Sequence, residues 1–438
     1  MIGNAEKNQF LFENLETMLD PKQALYQLAK TIPWNDVESY FMGFYPSNGR
    51  PAKNIRLMVS LIILKRMFNL GDETVIDQWI QNPYMQYFSG EKTFQWKMPC
   101  DPSDLVHFRK RIGEKGIEKI FKLSIDIHGD KIKEEEISID TTVQEKNITF
   151  PTDMKLYKKI ILYCLKMAKE ENIKLRRSYT RTMKKLIFLQ RGKKTKKGKK
   201  IALKAQRHLK TIAGRLYREI KRKLSELSIE KNEELLKIFE RILNQGKDSK
   251  NKIYSINEPE SYCISKGKDH KKYEFGTKVS LAVTNDTGII VGAINIKENE
   301  YDGKTIIEAL DQVEKMTGVI PKTAGTDQGY RGISNYKGCM IINADKLKRK
   351  SLSCYERKKI KKLLRRRASI EAIISSLKNR HRLSRNYLSG TYGNTINVML
   401  SAAGFNFKKW MRKVKLYFCD NFYKIIFLQK IKFCLIIR

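Results

Sequence analysis

The sequence has few acidic residues for its number of basic ones. Its 438 residues contain 47 Asp and Glu against 87 Lys and Arg, which gives a formal net charge of +40. An excess of this size goes far beyond what solubility requires and is typical of a protein that binds a polyanion. Because 41% of the residues are hydrophobic and 10% are aromatic, a disordered polycation is excluded and a folded protein is expected.

Long hydrophobic runs are also missing. No stretch reaches the roughly 18 uncharged apolar residues that a membrane helix needs. The most apolar segment, residues 57–68, is shorter and contains Lys65 and Arg66, so we expect a buried helix there. The opening segment mixes acids with apolar side chains and lacks the continuous apolar core of a secretory leader. These absences favour a cytoplasmic protein that does not bind a membrane.

Cysteine patterns typical of metal sites or disulfide frameworks are absent as well. The seven cysteines include no C-x-x-C pair, and no histidines lie near them at the spacing of zinc ligands. We therefore expect ordinary buried thiols in a reducing compartment.

The periodicity of apolar residues divides the chain into parts. Residues 1–130 have helical spacing with turn signals between the helices, which predicts an all-helical N-terminal domain with Trp79 and Trp96 in its core. Residues 131–415 contain strand patterns separated by helical ones, including two strands joined by a hairpin at residues 285–288. This order predicts a mixed α/β sheet with flanking helices. The apolar and basic tail, residues 416–438, fits either a last helix or a poorly ordered end.

A basic helical insertion interrupts the strand patterns at about residues 151–252. Its most basic stretch lies at residues 191–210, where two glycines suggest a joint between helices. A charge run is often only a solvated face, but in a chain with this net charge we expect contacts with phosphates. The lysines concerned are Lys193, Lys194, Lys196, Lys197, Lys199 and Lys200.

Three acids lie where the predicted sheet places chemistry. Asp140 is on the first strand, Asp327 follows a short strand, and Glu371 lies on a long basic helix predicted over roughly residues 355–380. Carboxylates that gather at a sheet edge are suited to bind two Mg²⁺ or Mn²⁺ ions for phosphodiester chemistry. The spacing alone leaves another interpretation open, in which Glu371 only pairs with Arg367 on a solvent face. Other acids compete on spacing, namely Asp286, Asp302 and Asp345.

The predicted long helix has two distinct faces. At about 100° per residue, Arg367, Glu371 and Lys378 fall close together along one edge. The apolar side chains centre about 100° away, so we expect that stripe to pack on the sheet while the charged edge reaches over the strand ends. The stripe consists of Ile370, Ile373, Ile374 and Leu377.

Several motifs resemble bacterial DDE transposases of the insertion-sequence-five family. The similarity is close in ISIDTTVQEKNITFPTD around Asp140, in TDQGYRG around Asp327, and in RRRASIEAIISSLKNRHRLSRNYLSG around Glu371. The segment HFRKRIG at residues 107–113 also resembles the N-terminal domain of that family. The resemblance spans roughly residues 50–412. It implies an RNase H-like catalytic domain over residues 131–415, with the insertion inside it.

The resemblance also implies roles for single residues. Asp140, Asp327 and Glu371 would bind two Mg²⁺ or Mn²⁺ ions. The family signature Tyr-x2-Arg-x3-Glu-x6-Lys places its arginine and lysine on Arg367 and Lys378, which would orient Glu371 or DNA and contact a phosphate near the cut. Tyr330 would pack or contact DNA, and His381 would make a DNA or structural contact. Two positions depart from the family pattern, Leu364 in place of the tyrosine and Gln328 in place of an arginine after the second acid.

The function that follows from the resemblance is DNA transposition. Such an enzyme binds the terminal inverted repeats of its element, cuts a strand, and joins the freed 3′-hydroxyl to target DNA. The helical domain would recognise the ends, and a homodimer would act in the DNA complex, within the cytoplasm and at the nucleoid. Two alternatives remain: a transposase-derived protein that only binds DNA, and a structure-specific nuclease on the same fold.

Overall fold

A computed structural model describes residues 14–46, 52–246, 248–265, 272–296, 300–348 and 352–436, with side chains described up to residue 417. The helices of the N-terminal part are α1 (Leu15–Met18), α2 (Ala24–Thr31), α3 (Trp34–Met42), α4 (Ile55–Met67), α5 (Asp72–Gln81), α6 (Pro83–Phe88) and α7 (Pro102–Asp126). Helix α7 is kinked at Gly113, whose φ of 62° lies in the left-handed region that glycine adopts easily.

The remaining elements combine one sheet with further helices. The strands are β1 (Glu136–Lys146), β2 (Tyr262–Ser265), β3 (Tyr273–Thr284), β4 (Ile290–Ile296), β5 (Thr323–Gly325), β6 (Asn335–Tyr336), β7 (Cys339–Ile342) and β8 (Arg385–Asn386). The helices of the insertion are α8 (Asp153–Glu170), α9 (Thr180–Phe188), α10 (Lys196–Lys223), α11 (Glu226–Lys231) and α12 (Glu233–Asn244). The later helices are α13 (Asp302–Thr317), α14 (Cys354–Arg367), α15 (Ser369–Arg380) and α16 (Gly390–Ile436).

The described strands form one mixed sheet with β1 near its centre. The order is β2-β3-β1-β5-β7-β6, while β4 pairs with β3 and β8 pairs with β1. Strand β3 runs antiparallel to β1, and β5, β7 and β8 run parallel to it. The predicted hairpin at residues 285–288 joins β3 and β4. The fold is therefore mixed α/β, as predicted.

The N-terminal helices and the sheet share one hydrophobic core. The segment that the sequence offered as the most apolar, residues 57–68, forms most of α4, and its side chains are buried between the other helices rather than facing lipid. Trp79 is buried, but the expectation for Trp96 is wrong, since its side chain is 77% exposed. Trp96 lies in the irregular segment after α6 and contacts the ring of Phe94 edge to face.

The basic insertion has a hydrophobic core of its own. Buried side chains of α8, α9, α10 and α12 form a cluster separate from that of the sheet. Each helix contributes one apolar face, and the lysine-rich surface of α10 points to solvent. The insertion is thus a helical unit that leaves the sheet after β1 and returns before β2.

The predicted long helix is in fact two helices. Helix α14 ends at Arg367 and α15 begins at Ser369, with Ala368 between them. The break is slight because Ala368 keeps helical dihedral angles, φ −57° and ψ −24°. Only the hydrogen-bond pattern changes there, since Glu371 N donates to Ala368 O, three residues earlier, at 3.3 Å. The relation between Arg367 and Glu371 one turn apart therefore persists across the junction.

Helix α16 closes the structure. It packs on α4 and α7 and on β4, and its backbone continues through the predicted tail to Ile436. Residues 437–438 of that tail lie outside the described residues. In the part of the chain that the structure describes, no helix combines the length and hydropathy needed to cross a bilayer.

Candidate active site

Two of the predicted acids lie side by side because of the sheet register. Strands β1 and β5 are parallel, with Ser138 opposite Gly325. Asp140 and Asp327 each lie two residues beyond this last pair, in the same direction along the chain. Parallel neighbours at one level present their side chains on the same face, so the strand pairing itself gathers the two carboxyl groups.

The third acid joins them through one arginine. The Arg367 guanidinium lies 3.5 Å from Asp140 Oδ2, 3.9 Å from Asp327 Oδ1 and 3.9 Å from Glu371 Oε1, each distance measured from its nearest nitrogen. Three carboxylates thus surround a single cation at the end of α14. Sequence reasoning paired Arg367 with Glu371 alone and missed its contacts with the two aspartates, because the register that creates them is a tertiary feature.

The backbone fixes the two aspartates in different surroundings. Asp140 Oδ1 accepts a hydrogen bond of 2.8 Å from the Thr141 N–H, which leaves Oδ2 toward Arg367. Asp327 Oδ1 accepts a hydrogen bond of 2.7 Å from the Gln328 N–H in the turn after β5. The exposed fractions rise from 18% for the Asp140 side chain to 59% for Asp327 and 70% for Glu371. The cluster is therefore anchored in the sheet and open to solvent on its helical side.

The donor set suits a divalent cation, although the present arrangement is organised around an arginine. Among the described residues, no group of three His, Cys, Asp or Glu side chains stands close enough to hold a metal ion as placed. Carboxylate oxygens are the hard donors that Mg²⁺ and Mn²⁺ prefer. The residue types therefore suit a divalent cation, whereas the spacing of the three carboxylates in this structure fits the Arg367 guanidinium that lies between them.

The acids that competed with the triad on spacing are engaged elsewhere. Asp286 pairs with Arg366 at 2.7 Å, Asp302 pairs with Lys278 at 2.8 Å, and Asp345 lies 3.4 Å from the Arg331 guanidinium. Each of these carboxylates has a basic partner of its own, whereas the three candidate ligands share Arg367.

Of the two roles predicted for Tyr330, packing is the one the structure has. Its side chain is 3% exposed and belongs to the main core, so this ring cannot contact DNA as placed. Burial, together with the charges of Asp140 and Asp302, raises the pKa of its hydroxyl well above the usual value. Tyr330 is therefore a neutral ring packed under the acid cluster.

His381 also has the structural role among the two predicted. Its side chain is buried against the ring of Phe405, and its Nδ1 lies 3.0 Å from the carbonyl oxygen of Arg66. A carbonyl only accepts, so Nδ1 must carry the proton. Burial lowers the pKa of the ring to about 4. In this structure the side chain is buried and does not reach the surface.

The other predicted DNA contacts lie where solvent reaches them. Lys378 is on α15, two turns after Glu371, and is partly exposed. The lysines of the basic stretch, Lys193, Lys194, Lys196, Lys197, Lys199 and Lys200, are all exposed at the start of α10 and in the turn before it.

Comparison with known proteins identifies two transposase domains in the chain. A family model described as "Transposase domain (DUF772)" matches residues 13–111, and one described as "Transposase DDE domain" matches residues 259–407. A relative from Rhizobium meliloti, described as "Uncharacterized protein ORF8 in nfe locus", is 43% identical over 183 residues, which are 41% of this chain and 88% of the relative. No solved structure matches the chain significantly. Because two transposase domain models match it, one in the N-terminal part and one in the C-terminal part, the chain belongs to the transposases with a DDE domain.

Proposed function

We propose that this protein is a transposase of the insertion-sequence-five family that moves its own element by cutting one DNA strand at the element ends and joining the freed 3′-hydroxyl to target DNA. The observation that carries the proposal is the convergence of Asp140, Asp327 and Glu371 on one arginine at the edge of the sheet. An RNase H-like catalytic domain is part of the same proposal, because the central position of β1 and its acid agree with it. Asp140 lies between the two matched ranges, so its assignment depends on geometry and on local resemblance.

The three acids are the proposed holders of two Mg²⁺ or Mn²⁺ ions. Bound there, the ions would supply Lewis-acid activation of the attacking oxygen and stabilise the leaving oxygen. The task of the chain is to hold the carboxylates in place, and β1 and the turn after β5 do so through the N–H groups of Thr141 and Gln328. Glu371 is the most exposed of the three and sits at the start of α15, next to the junction at Ala368.

Arg367 and Lys378 are the proposed phosphate contacts of the site. Arg367 balances part of the negative charge of the triad and can present its planar guanidinium to a phosphate once a divalent ion takes over that balance. Lys378 is a flexible point charge suited to a phosphate that shifts between the cutting and joining steps.

The rest of the chain would hold the DNA. The exposed lysines at the start of α10 are proposed to track the backbone of double-stranded DNA, and the N-terminal helices to recognise the inverted repeats. One protomer per element end makes a homodimer the proposed assembly, acting at the bacterial nucleoid in the cytoplasm.

A strand-transfer assay tests the proposal. The protein is mixed with Mg²⁺ and labelled duplexes that carry the element ends, and products are separated under denaturing conditions. We expect cutting and joining by the wild type and neither by Asp140→Asn, with end binding retained by both. Cutting without joining would instead indicate a nuclease, and binding without cutting a catalytically inactive descendant, which the departures at Leu364 and Gln328 would then explain. Cutting by Asp140→Asn at the wild-type rate would refute the triad.

A further inference from the structure

A second site candidate is a cavity of about 780 Å³ at the junction of the N-terminal helices and the sheet. Its walls come from the end of α4, the first turns of α5 and α7, the segment around β8 and the start of α16. The cavity is separate from the acid cluster, since none of the three candidate metal ligands lines it. Residues far apart in the sequence thus meet around one opening.

The lining of this cavity is strongly positive. Two carboxylates, Asp72 and Glu73, face a larger set of cations. The first turns of α5 and α7 add the partial positive charge of helix N-termini to the same space. The basic lining residues are Lys65, Arg66, Arg109, Lys110, Arg382 and Arg385.

The innermost cations share one carboxylate. Lys65 Nζ lies 2.7 Å from Asp72 Oδ1, and the Arg109 guanidinium binds both oxygens of Asp72 at 2.7 and 2.8 Å. Lys65, Arg66 and Arg109 are all buried. Buried charges are normally paired one to one, so these cations exceed their partner.

Among these buried cations, Arg66 is the one that hydrogen-bonds to a neutral side chain instead of a carboxylate. It is 3% exposed and its Nη1 donates to Asn397 Oδ1 at 2.8 Å, a neutral acceptor. Among the described residues none accepts a hydrogen bond from Arg66 Nε. Arg66 is therefore a buried guanidinium that lines the cavity and has a neutral acceptor instead of a carboxylate.

We propose that this cavity binds a phosphate oxyanion, held by Arg66 and Arg109 inside and by Arg382 and Arg385 at the rim. A tetrahedral anion with several acceptor oxygens would accept hydrogen bonds from several of these guanidinium groups and offset the surplus charge. Fork-shaped guanidinium groups match such an anion better than they match chloride, which has no directional lone-pair geometry.

The phosphate can belong to DNA or to a small phosphorylated molecule, and one distance favours DNA. Arg385 on β8 pairs with Glu145 on β1, five residues beyond Asp140. At about 3.3 Å per residue this is roughly 17 Å along the strand, the rise of about five base pairs of duplex. A DNA backbone that ran from the acid cluster along β1 would therefore meet the cavity about five phosphates away.

The phosphate arm of the test uses the whole protein without DNA. Thermal unfolding is followed with inorganic phosphate and with sodium chloride at equal ionic strength. We expect phosphate to raise Tm saturably by about 2 °C or more above chloride. The rim variant Arg382→Gln with Arg385→Gln should lose this gain, while the control Lys22→Gln with Lys315→Gln, which removes two exposed charges outside the cavity, should keep it. No gain over chloride in the wild type, or an equal gain in the rim variant, would refute the site.

The DNA arm identifies the source of the phosphate. Binding of a duplex without Mg²⁺ is measured against salt for the wild type, the rim variant and the control. The slope of log K against log [salt] is negative. If its magnitude is smaller in the rim variant than in the control by about 0.9 or more, the cavity is assigned to a DNA phosphate. An unchanged slope, with the phosphate gain lost as above, assigns it to a free phosphorylated ligand. Because neither arm involves cutting, failure of the proposed catalytic triad would leave both outcomes readable.

Discussion

The acid cluster and the basic cavity are mirror images in charge. In the acid cluster three carboxylates surround Arg367. In the cavity several cations surround the carboxylate of Asp72. Among the described residues, each region has a group of opposite charge at its centre, Arg367 in the acid cluster and Asp72 in the cavity.

The difference between them lies in burial. The acid cluster is open to solvent on the side of Glu371. Water and salt can therefore screen the repulsion between its carboxylates, which lowers the free energy of unfolding only slightly. The cations Lys65, Arg66 and Arg109 are buried, so their surplus weighs on stability directly. The comparison teaches that candidate anion and cation sites can be recognised in one chain as local clusters in which charged side chains of one sign outnumber those of the other.

Removing the central carboxylate of the cavity should have the largest effect. Asp72→Asn leaves Lys65 and Arg109 buried without an anion, and we expect the free energy of unfolding to fall by about 3–5 kcal/mol. Chemical denaturation measures the loss, and phosphate should recover part of it. The control Asp311→Asn removes an exposed carboxylate bound to Lys337 and should cost below about 1 kcal/mol. Equal losses in both variants would mean that the cavity charges are not special.

The titration of Lys65 should make the stability of the protein depend on pH, which tests the charges of the cavity a second time. Burial, with the charges of Arg66 and Arg109 against that of Asp72, lowers the pKa of Lys65 to about 7, below its value in the unfolded chain. The unfolded state therefore binds more protons above pH 7, and stability gains at most about 1.4 kcal/mol per pH unit between pH 7 and 10 from this group. Lys65→Met should lose that slope. Phosphate affinity should fall around pH 7 as Lys65 loses its proton, and an equal fall in Lys65→Met would contradict this account.

Removing the charge of Arg367 tests the acid cluster. Arg367→Gln frees the three carboxylates from their internal partner, so Mn²⁺ should bind about tenfold tighter, which corresponds to about 1.4 kcal/mol. Calorimetric titration without DNA measures the change. The matched control is Arg366→Gln, whose side chain pairs with Asp286 and Glu136 instead and should leave the affinity unchanged. Weaker Mn²⁺ binding in Arg367→Gln would mean that the arginine organises the carboxylates and does not compete for them.

The smallest effect on stability is expected at Lys378. Lys378→Ala removes a partly exposed side chain and should change the free energy of unfolding by no more than about 0.5 kcal/mol while strand cutting is lost. Its neighbour Leu377 is fully buried, so Leu377→Ala should cost about 2–5 kcal/mol. Ile374, also assigned to the buried stripe, is only partly buried and should lose less. A Lys378→Ala variant that cuts at full rate would remove this residue from the site.

Local patterns in the sequence were sufficient for much of the fold. The β3–β4 hairpin, the buried helix at residues 57–68 and the strand that carries Asp140 follow from periodicity and turn residues, which act over a few positions. The grouping of Asp140, Asp327 and Glu371 was expected from the family resemblance, because spacing alone left open a simple pair between Glu371 and Arg367.

Features that depend on distant partners could not be predicted in this way. The break at Ala368 is a small adjustment within an uninterrupted helical pattern. Tyr330 and His381 are polar enough to suggest surface contacts, yet β-strands and helices from other parts of the chain bury both. The cavity joins Lys65 to Arg385 across most of the sequence, and Lys65 in the sequence is only an interruption of an apolar run.

The position of the insertion also has a consequence for how the chain acquires its fold. Strand β1 is complete before the insertion begins, but its neighbours β3 and β5 follow the insertion. At about 5–20 residues per second during synthesis, the roughly 100 residues of the insertion take about 5–20 seconds to make, and during that time β1 has neither of these neighbours. Since the insertion has its own core, it can complete folding within that interval. The strands made last then complete a sheet whose central strand was made first, so β1 has unpaired edges until β3 and then β5 are made.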